Sequence, residues 1–212
     1  MPYPLCLFDL DGTLTDPKTG ITNSFHYALN HFGIRETLET LTGYIGPPLR
    51  KSFARYDVDI ELAVDKYREY YTQSGMLENK LYDGILETLQ AFSEQSVLLA
   101  VATSKVTAYA RQILEYFKLD HYFSHISGDF MDGSLTQNGK ADVIRCALDA
   151  LDPKRKMAAC MIGDRKHDIL GAISCGVTPV AALWGYGSRE ELARAGAKTF
   201  MNYPQELLSL LR

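Results

Sequence analysis

Asp9 and Asp11 stand two residues apart, directly after the apolar run Leu5-Cys6-Leu7-Phe8 and directly before Gly12 and Thr13. The run is too short for a helix and reads as a buried strand. Side chains alternate along a strand, so an i, i+2 pair emerges on one side if the extended run continues. Two carboxylates held together at the end of a buried strand repel unless a cation or a shared proton intervenes. Folding alone gives no reason for such a pair. A calcium loop puts its glycine sixth and a glutamate twelfth, and aligning Gly12 to that slot brings Leu7 first and Lys18 last. A turn explains Asp11-Gly12, a dipeptide suited to positive φ, but leaves Asp9 an unpaired acid.

Other polar groups follow other apolar runs. Val97–Ala102 reads as a strand, and Thr103, Ser104 and Lys105 come next. A hydroxyl and loop amides leading into a helix make an anion cradle, although Ser and Thr also simply cap helices. Met157–Ile162 reads as a strand and is followed by Gly163-Asp164-Arg165-Lys166-His167-Asp168. Asp168 lies four residues past Asp164, so a starting helix places both over one face, and Gly163 permits close backbone approach. Such a carboxylate pair suits magnesium, which takes few protein oxygens. His167 reads as a surface helix residue. Lys140 opens a helix running to about Leu151, where a cation opposes the helix dipole. Taken alone it reads as a solvated lysine, and an anionic partner would rationalise it.

The elements that must position these groups fall into two textures. Asp16-Pro17 reads as a helix start, with Asp16 as cap and Pro17 first in the helix, and Ile21, Phe25, Ala28, Leu29 and Phe32 recur at helical spacing. Short helices over 38–42 and 49–56 and a longer one over 60–71 complete a helical block, residues 17–78. From residue 82 the chain alternates. A helix from Ile85 precedes the strand 97–102, then come a helix over 107–117 and a strand near 125–127. Beyond the helix from Lys140 and the strand 157–162 lie a helix over 168–175 and a strand over 179–183. Helix 189–195, an edge strand over 199–201 and a last helix after Pro204 close the pattern. Strands alternating with helices mean a parallel sheet covered on both faces. The expected fold is an α/β, Rossmann-like, doubly wound parallel core over residues 1–16 and 79–212, carrying an inserted all-helical cap domain over 17–78.

In this order, Phe8-Asp9-Leu10-Asp11-Gly12-Thr13, Thr103 after a strand, Lys140, and Gly163-Asp164 with Asp168 resemble the four motifs of the haloacid dehalogenase-like (HAD) phosphohydrolases. Leu183-Trp184-Gly185-Tyr186-Gly187-Ser188 and the cap placement are similar to the subset that holds phosphoglycolate phosphatases and bacterial 5′-nucleotidases. The resemblance implies a magnesium-dependent phosphatase that hydrolyses a small phosphomonoester through an aspartyl-phosphate. Asp9 would be the nucleophile and Asp11 the general acid and base. Asp9, the Asp11 carbonyl, Asp164 and Asp168 would serve the Mg2+ site. Gly12, Thr13, Thr103 and Ser104 would bind phosphate, and Lys105 and Lys140 compete for the neutralising lysine. Arg50 is the candidate cap residue for reaching the substrate. Alternatives are a sugar phosphomutase on the same scaffold and a catalytically silent phospho-ligand-binding protein. A receiver-like domain also offers strand-end acids but accounts neither for the helical insertion nor for the Asp9–Thr13 pattern.

The chain has 212 residues, 46% hydrophobic and 23% charged, with net charge −4. That balance argues against nucleic acid as partner and leaves a small phosphorylated metabolite open, because a bound divalent cation reverses the local sign. Cys6, Cys146, Cys160 and Cys175 show no zinc spacing. With no basic leader and no long apolar stretch, the expectation is a reduced, cytoplasmic protein without a membrane partner. It is expected to be a monomer or a homodimer, whose interface could use exposed cap tyrosines.

Overall fold

Leu5–Phe8 forms β1, and all four side chains are fully buried, as a strand covered on both faces requires. The computed structural model describes residues 3–211. After β1 come β2 (Thr15–Asp16), β3 (Lys80–Leu81), β4 (Leu98–Val106), β5 (His125–Asp129), β6 (Ala159–Gly163), β7 (Thr178–Ala182) and β8 (Thr199–Met201). Six strands form one parallel sheet in the order β5-β4-β1-β6-β7-β8. β1 lies between β4 and β6, with Phe8 opposite both Val101 and Ile162. The chain winds outward from β1 to β5, then returns to the other side of β1 at β6. The crevice at the carboxyl ends of β1 and β6 is therefore the switch point where doubly wound sheets bind ligands. This is the Rossmann-like α/β fold.

The chain divides into two units, Met1–Thr15 with Leu81–Arg212, and Asp16–Lys80. β2 and β3 form a two-stranded sheet where the chain passes from one to the other. The second unit holds α1 (Lys18–His31), α2 (Leu38–Thr42), α3 (Leu49–Phe53) and α4 (Ile60–Tyr70), the last continued by a π-helical turn, Tyr71–Gly75. Its centre is aromatic. Phe25 lies 5.0–5.2 Å, ring centre to ring centre, from Tyr44, Phe53 and Tyr67. A Cβ at Gly20 would fall 1.7 Å from the Gly75 carbonyl oxygen, so only glycine lets α1 approach the π turn.

The first unit adds α5 (Ile85–Glu94), α6 (Thr107–Tyr116), α7 (Lys140–Leu151), α8 (Lys166–Ser174) and α9 (Arg189–Arg194), with a 3-10 helix over Pro204–Leu211. Strand alternation sorts its core. Leu5 and Leu7 join Val143, Ile144, Ala147 and Leu148 of α7 and Ala172 of α8, whereas Phe8 meets Phe92 of α5 and Phe123 edge-on.

Several boundaries differ from those expected. α1 starts at Lys18; Pro17 is the capping residue, and the Asp16 carboxylate accepts from the Lys18 N–H instead. β4 runs on through Thr103–Val106, because beyond β1 it still pairs with β5 across a register shift. The amides of 103–105 therefore belong to a strand and not to a loop. α8 begins two residues early because Asp168 sits inside its first turn, its Oδ2 accepting from the Arg165 N–H at 3.0 Å. Of the tyrosines of the Asp16–Lys80 unit, Tyr27 is exposed, whereas Tyr44, Tyr67 and Tyr71 are buried. A small helical unit has too few aliphatic side chains to close a core without them.

Candidate active site

β1 ends in Asp9, whose N–H still bonds the Ile162 carbonyl of β6 at 2.9 Å. The sheet ladder thus holds the residue that carries the first carboxylate. Lys140, first in α7, extends its ammonium to Asp9 Oδ1 and to Asp168 Oδ1, each at 2.7 Å. All three are buried. Lys140 is thus no solvated surface lysine: α7 packs against β4 and β5 and aims its first residue inward at the carboxyl edge of the sheet. Asp9 Oδ1 also accepts from the Leu10 N–H at 2.7 Å, which fixes the carboxylate.

Asp164, just past β6, is fully buried. Its Oδ1 accepts from the Thr13 hydroxyl at 3.3 Å and its Oδ2 from the Tyr186 N–H at 2.9 Å. Gly12, at φ +86°, turns the loop tightly over it, and a Cβ there would fall 2.3 Å from Asp164 Oδ2. Asp9, Asp164 and Asp168 offer one oxygen each within 4.8 Å of one another.

The charge balance of this cluster is uneven: three carboxylates face one ammonium. Burial pushes the Asp164 carboxyl well above the usual range, and Asp168 and Asp9 add to it. Burial likewise raises Asp168, to about 6, against the pull of Lys140. Burial disfavours the Lys140 charge, but Asp168 and Asp9 together hold it protonated above the usual lysine range. A cation among the three acids would relieve the excess negative charge, and an all-oxygen donor set suits a hard divalent ion. The residues present fit such an ion.

Asp11 has a different partner. Its Oδ2 lies 2.7 Å from Lys105 Nζ, and its Oδ1 is buried without a hydrogen-bond partner. Burial raises its carboxyl, with Lys105 opposing. The two candidate lysines are thus divided between the two first-motif acids, Lys140 to Asp9 and Lys105 to Asp11. Thr103 is buried two residues past Val101, its hydroxyl accepting from the Lys105 N–H at 3.2 Å. Ser104, next along β4, is partly buried. Arg50 belongs to the Asp16–Lys80 unit, where its guanidinium pairs with Glu61 at 2.8 Å. His167 is exposed. The sequence reading assigned no role to Trp184, whose indole N–H donates to the Thr13 carbonyl at 2.9 Å; the glycines flanking Tyr186 were the available signal of close packing.

Comparison with known proteins gives the following. The family described as haloacid dehalogenase-like hydrolase matches residues 6–182. A 5′-nucleotidase of Pseudomonas aeruginosa is 44% identical over 195 residues, 90% of this chain and 87% of that protein. The tyrosine-protein kinase PtkA of Mycobacterium tuberculosis is 41% identical over 186 residues, 86% of this chain, which spans 63% of that protein. The crystal structure of a predicted phosphatase from Clostridium acetobutylicum superposes with a TM-score of 0.92 at 45% identity, covering 100% of this chain and 99% of that one.

Proposed function

Because this chain belongs to the haloacid dehalogenase-like hydrolases and is a phosphatase among them, we propose that it hydrolyses a small phosphomonoester through an aspartyl-phosphate on Asp9. A nucleoside 5′-monophosphate is the leading substrate class, in keeping with the relative named 5′-nucleotidase, and phosphoglycolate is the second. The observation that carries the reading is Lys140 held 2.7 Å from both Asp9 and Asp168 beside the buried Asp164. It supports a reading in which Asp9 is the nucleophile beside a fixed positive charge and a cluster able to hold a cation.

Asp9, Asp164 and Asp168, with the Asp11 carbonyl, would hold Mg2+, which when bound neutralises phosphate charge and lets a carboxylate approach it. The chain supplies the rest. An Asp9 oxygen forms a bond to phosphorus as the bond to the leaving oxygen breaks, and Asp11 gives that oxygen its proton. Water then attacks phosphorus, its proton passes to Asp11, and the bond to Asp9 breaks. Lys140 screens Asp9 from the incoming dianion. Thr103 and Ser104 contact the three equatorial oxygens of the phosphoryl group, and Lys105 holds Asp11 in place until substrate arrives. The Gly12 and Thr13 N–H groups, expected on the phosphate, are instead given to the Thr15 and Leu10 carbonyls at 2.7 and 3.3 Å. Arg50 is the residue of the inserted unit proposed to read the leaving group.

Phosphate release from p-nitrophenyl phosphate, with and without Mg2+, tests the chemistry. Asp9→Asn should lose at least about a thousandfold in kcat, and undiminished turnover by that variant would refute the nucleophile. A panel of nucleoside monophosphates, phosphoglycolate and phosphotyrosine, ranked by kcat/KM, tests the substrate class.

A further inference from the structure

One short segment, Trp184 to Glu191, touches both loops that carry the acidic cluster. The Trp184 indole N–H donates to the Thr13 carbonyl and the Tyr186 N–H to Asp164 Oδ2, each at 2.9 Å. Glu191 Oε1 accepts from Arg165 Nε and from the Lys166 N–H, each at 3.0 Å, and these two residues lie between Asp164 and Asp168. Gly185 and Gly187 allow the contact. A Cβ at Gly185 would fall 2.3 Å from Asp164 Cβ, and one at Gly187 would fall 2.0 Å from the Asp164 carbonyl oxygen. Both ends of the segment are anchored. β7 delivers its start, and Ser188 caps α9 by accepting from the Glu191 N–H at 3.2 Å, which fixes Glu191 in the first turn.

We propose that Trp184 and Glu191 are positioning residues for the cation cluster, and that Trp184 is an optical reporter of it. This rests on the reading that Asp9, Asp164 and Asp168 hold a divalent ion. Neither residue touches those carboxylates. Each ties down a loop that bears them, Trp184 the loop of Asp9–Thr13 and Glu191 the loop of Asp164–Asp168. Carboxylates gathered without an ion repel one another, so a frame that keeps them together spares the ion the cost of assembling them. Outer-shell partners of this kind commonly change metal affinity by about 10–100-fold. Trp184 is the sole tryptophan of the chain, so all indole emission comes from a ring bonded to the cluster's own loop.

The test is titration of the whole chain with Mg2+ alone, followed in parallel by calorimetry and by tryptophan emission. The wild type should show an emission change whose midpoint coincides with the calorimetric one. Trp184→Phe, which keeps an aromatic ring but no donor, and Glu191→Ala should each weaken calorimetric Mg2+ binding about tenfold or more. Their kcat at saturating Mg2+ should stay near wild type while the Mg2+ needed for half-maximal rate rises. Glu191→Gln, which keeps the acceptor oxygen, should recover most of the lost affinity, and it preserves the test if Glu191→Ala fails to fold. Wild-type Mg2+ affinity in both Trp184→Phe and Glu191→Ala would overturn the proposal. Absence of calorimetric Mg2+ binding by the wild type would overturn the cation site itself, and this proposal with it.

Discussion

The switch point of the sheet and the interior of the Asp16–Lys80 unit are both buried, yet they are filled by opposite kinds of side chain. At the first, Asp9, Asp164, Asp168 and Lys140 are shut away from water with their charges unbalanced. In the second, Phe25, Tyr44, Phe53 and Tyr67 pack ring on ring, and the Arg50–Glu61 ion pair stays at the surface. Aromatic packing stabilises by area and geometry. Buried charge gives little net stability even when paired and becomes a heavy penalty when a partner is removed. The first interior is therefore kept for chemistry and the second for folding.

That contrast can be broken by substitution. The largest effect on stability should come from Phe25→Ala, which empties the centre of the aromatic cluster and should cost about 3–5 kcal/mol by chemical denaturation. Mg2+ affinity should not move, and a change in it would blur the division drawn above. Lys140→Met should cost roughly 3 kcal/mol in protein freed of divalent ions, since Asp9 and Asp168 then face each other without their ammonium. Lys105→Met should cost less, because Lys105 holds the single carboxylate of Asp11 where Lys140 holds two. Equal losses in the two lysine variants would contradict the geometry.

A smaller effect sharpens the same point from the ligand side. Mg2+ at about a hundred times its dissociation constant should stabilise the wild type by roughly 2.7 kcal/mol by mass action, seen as a raised melting midpoint. Asp164→Asn should abolish that rise. The smallest effect concerns His125, a half-buried residue at the start of β5, away from the cluster. Burial, with Arg111 adding, lowers its pKa, and its Nε2 is buried without a partner. The unfolded chain then binds the proton more readily than the folded one. Stability attributable to keeping His125 neutral is thus full above the ordinary histidine pKa of about 6.5 and declines as pH falls below it. His125→Gln should flatten the stability profile between pH 7 and 5, and an unchanged slope would refute the assignment.

Much of this site was legible in the sequence because its chemistry is concentrated where strands end. Asp9, Asp11, Asp164 and Asp168 each follow an apolar run by a few residues, and strand alternation with helix spacing brings them to one edge. The division of the two lysines was not legible. It depends on β4 continuing past its pairing with β1, which carries Lys105 toward Asp11, and a register shift between strands leaves no local mark in sequence. Lys140 alone looked like a surface residue, since its burial comes from how α7 packs and not from its neighbours in the chain. The burial of Tyr44 and Tyr71 was not legible for a related reason: in a unit this small, polar-tipped rings serve as core. Trp184 went unassigned because its partner, Thr13, lies far away in sequence.

The position of β1 has a consequence for how the chain is made. It is an inner strand of the sheet, yet it leaves the ribosome well before both of its neighbours, which begin at Leu98 and Ala159. The whole Asp16–Lys80 unit is synthesised in between and can gather its aromatic interior from one continuous stretch. During that interval Leu5–Phe8 is an apolar strand with both edges open, the kind of segment that invites wrong pairings and chaperone capture. Asp9, at its end, stays a solvated carboxylate until β6 and α8 have emerged. The residue proposed to do the chemistry is translated long before Lys140, Asp164 and Asp168, which surround it, so a nascent chain cut short before Asp168 should hold every part of the first motif and none of its reactivity.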